Sequence, residues 1–416
     1  MPKLLKHLSS EFKSGDRVFV SSMSTESALL AEALRENPEH ANGVNFIAIQ
    51  FPGIDSTDYL SLHPESQLTS FFMSKAVRQG LQENRAKLHA LDYLTIAHHL
   101  KSSPPPDIAI AQVSLPDSNG RYSFGLSHDF LPLVWKKAKR RIVHINPLMP
   151  YTKSSFYTDR SEIDCWIDAE RPLLQYKEPV PGDIDLRIAG YASSLVRDGD
   201  TLQFGIGTVP LALGQALSGH KKLKIHAGMV TPIVRRLIES GAIDPHASIT
   251  SGVALGDNDF YRIVAKNPQF WFTDVEHTHS IQAIAKIPRF IAVNSAVEVD
   301  LFGQVNSERI GGSLQAGSGG LPAFAQGALH SEGGRLLICL RSTAAGGKVS
   351  RVVPTLDTGG LCTLPGYMAD AVITEYGIAE LRGRSLEERA QALISVAAPE
   401  FRSKLQSDWD NIRIKL

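Results

Sequence analysis

Short apolar runs without polar alternation recur along the first part of the chain. "DRVFVSS", "VNFIAIQF", "IAIAQVSL" and "RIVHINPL" are rich in Val and Ile and carry few charges. Continuous runs of this kind predict strands covered on both faces, as in parallel sheets packed under helices. Helical patterns fall between them. In "STESALLAEALREN" the spacing directs Leu29, Leu30 and Leu34 inward, and Ser24 or Thr25 would cap the start. The basic run "WKKAKRR" at 135–141 reads as the solvated end of a helix entering the next strand. Strands alternating with helices predict an α/β fold.

The pattern breaks once and then resumes. "ERPLLQYKEPVPGDID" carries Pro172, Pro179 and Pro181, which interrupt both periodicities and predict a linker near residues 170–183. The expected domains are therefore 1–180 and 181–416. "KSGDRVFVSSMSTESALLAEAL" from Lys13 and "RDGDTLQFGIGTVPLALGQAL" from Arg197 both read as polar turn, Gly-Asp, strand, small-residue loop and helix. This predicts an internal duplication: two related α/β domains with mostly parallel sheets. Open parallel sheets bind ligands at the carboxyl ends of their strands, so the active site is expected in an interdomain cleft.

Composition narrows the classes of function. The chain has 416 residues, 43% of them apolar, and Lys+Arg equals Asp+Glu at 43 each. No net field favours nucleic acid. The N-terminus lacks the apolar core of a signal peptide, and no stretch approaches the ~20 apolar residues of a membrane span. Cys165, Cys339 and Cys362 are isolated, which fits a reducing cytoplasm. The pairs His98-His99 and His277/His279 lack a third ligand at recognisable spacing, so no metal is expected.

Glycine clusters carry the candidate chemistry. In "QFGIGTVPLALG" a strand ends at Gly205-Ile206-Gly207, and Pro210 suits the first turn of the helix that follows. Such glycines let backbone N–H groups approach an anion or a developing oxyanion. The stretch is no dinucleotide fingerprint, because Pro210 takes the third glycine position, and "AGGKVS" at 345–350 is no phosphate loop. "QAGSGGLPAFAQGAL" places Gly317, Gly319 and Gly320 ahead of a helix, suited to phosphate or pantetheine, without the spacing that would make Ser318 a nucleophile. "LKIHAGMVTP" at 223–232 reads as a buried strand that stops at the bare corner Ala227-Gly228.

"FGIGTVP", "VNSAVEVDLFGQV", "AGSGG", "SRVVPTL", "VITEYGIAELRGRSLEERAQALI", "QVSLPDSNGRYSFGLSHDF" and "INPLMPYT" together resemble the acetyl-CoA hydrolase/transferase family, 4-hydroxybutyrate CoA-transferases included. The resemblance runs in order over nearly the whole chain. It implies an acyl-CoA substrate, no covalently bound cofactor, and covalent catalysis by a glutamate that forms a glutamyl-CoA thioester. That glutamate lies in a segment like "GIHTEM". This chain reads "KIHAGM", so Gly228 stands at the nucleophile position and Ala227 replaces the neighbouring hydroxyl. Leu321 and Ala323 depart from the family pattern as well. Glu298 and Glu375 match other family glutamates, and Glu239 lies beyond the strand, so none is a good replacement.

Three readings follow from the resemblance: an enzyme acting on an acyl-CoA without the glutamyl intermediate, a conventional CoA-transferase with its nucleophile from elsewhere, or a non-catalytic acyl-CoA binder. By the same correspondence Gly205, Ile206 and Gly207 close over the thioester. Gly317, Gly319 and Gly320 approach the pantetheine or phosphates, and Lys348 and Arg351 meet CoA phosphates. Met23, Gln50, Phe51, Phe72 (at a helix start) and His226 wall the acyl pocket. The expected partners are acyl-CoA and a small carboxylate, with neither nucleic acid nor membrane, and with a homodimer left open.

Overall fold

The computed structural model describes residues 10–51, 53–55, 57–356 and 361–416. The chain divides into two units. One comprises Met1–Lys177, Gly228–Val230 and Ser248–Thr278; the other comprises Glu178–Ala227, Thr231–Ala247 and His279–Leu416.

The first unit is built on a seven-stranded parallel sheet of β1 (Arg17–Val20), β2 (Asn45–Ala48), β3 (Gln67–Ser70), β4 (Ala86–Leu88), β5 (Ile108–Val113), β6 (Arg140–Ile145) and β7 (Cys165–Asp168), in the order β4-β3-β2-β1-β5-β6-β7. Every residue of β5 is buried, as its unbroken apolar run requires. Helix α1 (Ala28–Glu36) packs Leu29, Leu30 and Leu34 inward. Its cap is Ser27, whose hydroxyl accepts the Leu30 N–H at 3.3 Å, rather than Ser24 or Thr25. Those two residues belong to a 3-10 turn, Met23–Thr25, because Met23 takes a left-handed φ of 54° and bends the chain before the helix can start. Helix α2 (Lys75–Gln82) is capped by Ser74, so Phe72 precedes the cap instead of opening the helix. The unit also contains α3 (Tyr93–Ser102).

In the second unit β8 (Thr201–Phe204) lies between β9 (Lys224–Val230, of which Lys224–Ala227 belong here) and a later strand, Phe290–Ser295. β10 (Ile249–Ala254) and β11 (Phe270–Phe272) pair in parallel within the first unit. The strand beside β8 is thus β12 (Phe290–Ser295), continued by β13 (Arg335–Cys339) and β14 (Ala371–Thr374) in parallel and by the antiparallel β15 (Gly377–Glu380). Helices α4 (Thr208–Ala216), α5 (Pro232–Glu239) and α6 (Leu321–His330) begin at Gly207, Thr231 and Gly320, and Trp409, Phe324 and Phe290 are buried in the apolar core.

The duplication is visible at bond level. Asp16 Oδ2 accepts the Lys13 N–H at 2.9 Å, and Asp200 Oδ2 accepts the Arg197 N–H at 2.8 Å. The intervening glycines, Gly15 and Gly199, take φ of 91° and 81°, and each opens the strand that becomes the middle of its sheet. In each copy the aspartate's carbonyl then accepts from the neighbouring strand, Asn45 N–H at 2.9 Å and Lys224 N–H at 2.9 Å. A hairpin forms at Gly303, with φ 84° at the glycine and Glu298 opposite Asn306.

A further sequence expectation fails in detail. β9 does not stop at Ala227-Gly228 but continues to Val230, and Pro232 then opens α5. Small side chains do not end a strand whose backbone partners continue: the Val230 carbonyl still accepts the Leu255 N–H at 2.9 Å.

Candidate functional site

In the first unit, Gly228 lies inside β9, half-buried, on the same face as Val230. Its φ is not in the left-handed region, so the backbone does not demand glycine. Gly252 of β10 faces Gly228: a Cβ at Gly252 would sit 3.1 Å from the Gly228 carbonyl and 3.5 Å from Asp129 Oδ1. The Ser251 hydroxyl donates to the same Gly228 carbonyl at 3.3 Å.

Asp129 is the unexpected member of this group. It is 5% exposed, holds φ at 30°, and its Oδ1 is buried without a hydrogen-bond partner. Its backbone runs beside Asp274 in a parallel bridge. Burial pushes the Asp129 carboxyl up to about 8, and the Asp274 charge adds to the rise. The adjacent His128, with its ring between Phe124 and Phe272 at 6.0 and 5.7 Å, is held neutral by burial, its pKa lowered to about 3.

Asp129 also lines a small cavity of about 20 Å³ with Ser22, Met23, Ile49 and Phe130. Met23, the other left-handed residue on that cavity, is held by a carboxylate: Asp55 accepts the Met23 N–H at 2.5 Å through Oδ1 and the Phe51 N–H at 2.6 Å through Oδ2. Burial raises Asp55 to about 7, with Glu26 adding to the rise and the Met23 amide opposing it. Phe51 and Phe72 pack ring to ring at 4.5 Å, both meet Tyr93 at 6.2 Å, and Tyr93 meets Phe130 at 4.9 Å. The structure therefore gathers Met23, Phe51 and Phe72 around one carboxylate and one aromatic cluster. Gln50 turns away, donating to the Thr57 carbonyl at 2.8 Å.

The second unit holds the glycine loops. Past β8, Gly205 and Gly207 have nothing within 4 Å of the place a Cβ would occupy, and Ile206 is 37% exposed. Gly207 needs its residue type for φ 119°; Gly205 has no such requirement, so no protein contact explains it. Gly319 takes φ 58°. Gly320 has a packing reason of its own, because a Cβ there would come within 2.3 Å of His279 Nε2. Gly320→Ala is expected to lower the denaturation midpoint by an amount equivalent to about 1–3 kcal/mol, the usual range for overpacking a core. An unchanged midpoint in thermal or urea unfolding would show that His279 yields freely.

Around that helix start, His279 packs against Phe324 at 4.6 Å, and burial, with the nearby His226, lowers its pKa to about 3. His226 is itself buried, edge-on to Phe290 at 6.1 Å. Leu321 and Ala323 are buried on α6. Lys348 is exposed on the turn between Thr343–Ala344 and Val349–Ser350, and Arg351 is half-buried with Nε lacking a partner. Burial and the Arg341 cation lower the Arg351 pKa.

The other acids are occupied. Glu375 accepts from the Ser342 N–H and hydroxyl at 2.8 and 2.7 Å, Glu298 from Asn306 Nδ2 at 2.9 Å, and Glu239 faces Arg235 at 3.7 Å. No His/Cys/Asp/Glu group that could hold a metal exists among the described residues, and no described helix is long and apolar enough to cross a membrane.

The residues that sequence reading missed are Asp129, Asp55 and Tyr93. Asp129 stands within "SHDF", a stretch with no spacing signal of its own. Only the return of Gly228–Val230 and Ser248–Thr278 to the first unit puts it beside Gly228.

Comparison with known proteins finds similarity along nearly the whole chain. Residues 5–159 match the acetyl-CoA hydrolase/transferase N-terminal domain and residues 256–409 the C-terminal domain. A 4-hydroxybutyrate coenzyme A transferase of Clostridium kluyveri is 33% identical over 407 residues, 96% of this chain and 95% of that protein. A succinyl-CoA:cyclohexane-1-carboxylate CoA transferase of Geobacter metallireducens is 33% identical over 82% of this chain and 80% of its own. The crystal structure of a 4-hydroxybutyrate CoA-transferase from Porphyromonas gingivalis superposes with a TM-score of 0.81 at 27% identity, covering 99% of this chain and 97% of that one. With both domain models matched in order and these relatives aligned along nearly its full length, the chain belongs to the acetyl-CoA hydrolase/transferase family of enzymes.

Proposed function

We propose that this enzyme moves CoA between an acyl-CoA and a small carboxylate by direct attack, without a glutamyl-CoA intermediate. The carrying observation is Gly228. The position that corresponds to the family's nucleophile is half-exposed strand in ordinary conformation, with a second glycine facing it and no side chain to acylate. A carboxylate acceptor is ionised at neutral pH without assistance. Its oxygen attacks the thioester carbon, the C–S bond breaks, and CoA leaves as thiolate, giving a mixed anhydride. The thiolate then attacks the acceptor's carbonyl carbon and the C–O bond breaks, releasing the donor acid as carboxylate. No proton or electron is gained or lost.

The roles follow the resemblance. Gly205, Ile206 and Gly207 donate backbone N–H groups to the oxyanion, a reading supported by the unexplained Gly205. Gly317, Gly319 and Gly320, with Lys348 and Arg351, contact the pantetheine and phosphates, and the unpaired Arg351 Nε suits an anionic oxygen. Met23, Phe51 and Phe72 shape the acyl pocket. A conventional transferase with a borrowed nucleophile is disfavoured because Glu375 and Glu298 are already engaged.

A single turnover with stoichiometric enzyme tests this. Acceptor carboxylate labelled with heavy oxygen should pass one labelled atom straight to the released donor acid. Borohydride or hydroxylamine treatment during turnover should leave the protein mass unchanged. Label retained in the protein, or an adduct on any glutamate, would overturn the proposal.

A further inference from the structure

The small cavity on which Asp129 lies is lined by no lysine or arginine, so a carboxylate oxygen reaching it would meet no cation there. The group that is there, buried and aimed without a partner, is Asp129. We propose that the Asp129 carboxyl is the hydrogen-bond donor that receives the acceptor's carboxylate beside Gly228. The inference rests on the direct-attack reading above and names the group that holds its second substrate.

Four observations converge. Asp129 Oδ1 and the Gly228 carbonyl converge on one point, lying 3.5 and 3.1 Å from where a Cβ on Gly252 would stand. Oδ1 has no partner inside the protein, and a buried polar atom left unpaired costs free energy that a ligand would recover. The backbone at Asp129 is held at φ 30° and at Met23, across the same cavity, at 54°, and strain of this kind persists where the surroundings over-determine a functional geometry. The groups facing it favour the acid form. Asp274 is a second carboxyl in the adjoining strand-like segment, His128 is neutral, and Tyr93, whose phenol lies close enough for the two charges to interact, has its own ionisation pushed up by burial.

A neutral acid in an apolar setting donates a strong, short hydrogen bond to an anion, and the bond is lost when the acid ionises. Donation should therefore fail as pH rises through about 8, where burial places the Asp129 ionisation. An amide in the same place keeps an N–H donor at every pH; a methyl keeps none.

The experiment compares the whole protein with Asp129→Asn and Asp129→Ala. In acyl-CoA/butyrate exchange, Asp129→Ala should lose on the order of 100-fold in kcat/KM for butyrate, the usual cost of one such donor. Asp129→Asn should stay within about tenfold of wild type, the cost of trading one donor for a weaker one, with the fall above pH ~8 abolished. Its melting temperature at neutral pH should rise, because the native protein holds a proton there that the unfolded chain has released, a cost the amide does not carry.

Butyrate titration by calorimetry, without acyl-CoA, reads the same donor independently of turnover: wild-type affinity should drop as pH passes about 8, and that of Asp129→Asn should not. Equal kcat/KM in Asp129→Ala, abolished turnover in Asp129→Asn, or pH-independent butyrate binding would overturn the inference. A wild-type protein that binds butyrate with this pH dependence but exchanges no acyl group would instead overturn the functional reading and leave Asp129 standing.

Discussion

Gly228→Glu should turn a protein that captures no acyl-CoA into one that does. In wild type, hydroxylamine or borohydride in the presence of acyl-CoA should leave the peptide spanning residues 223–232 at its unmodified mass. In the variant a CoA-derived or reduced adduct should appear on residue 228. The backbone accepts the change because residue 228 sits in extended strand with no left-handed φ. The same substitution should cost the native direct transfer about 100-fold in kcat/KM, since a fixed carboxylate fills the acceptor's place and a displacement of ~1 Å is worth that much in rate. The neutral Asp129 carboxyl can donate to the new glutamate's carboxylate and becomes a repelling charge once it ionises, so capture should weaken as pH rises through about 8. Unaltered butyrate-dependent turnover in a folded Gly228→Glu protein would mean that the chemistry happens elsewhere.

The loop after β8 should show an effect of similar size. Gly207→Val is expected to reduce acyl-CoA turnover by 100-fold or more, on the order of losing an oxyanion donor. Its stability loss should stay near the ~1–3 kcal/mol of a strained backbone residue, because φ is 119° yet nothing lies within 4 Å to collide with the side chain. Gly205→Ala separates the two causes: its φ is ordinary and its Cβ position is open, so the melting temperature should hold while kcat/KM falls about tenfold or more. Unchanged turnover in Gly205→Ala would make the loop a simple strand-to-helix turn.

Much of the fold was written in local pattern. The four Val/Ile-rich runs became β1, β2, β5 and β6, because an unbroken apolar run has only one stable fate in a sheet covered on both faces. The repeated Gly-Asp turns before β1 and β8 declared the duplication, since each aspartate bonds an amide three residues earlier and needs no distant partner. Local pattern misled where a neighbour decided the outcome. Ser27 caps α1 because Met23 bends the chain first, and β9 runs past Ala227 because its backbone partners continue.

The candidate site divides the same way. The absence of a side chain at residue 228, the glycine loop at 205–207 and the family membership were legible because they are properties of residue type in a fixed order along the chain. That Gly320 answers to His279, that Asp55 holds both Met23 and Phe51, and that Asp129 stands unpaired beside Gly228 belong to tertiary structure alone. Burial and the approach of a second carboxyl set the protonation of Asp129, and both come from segments far apart in sequence that meet only when the chain is folded.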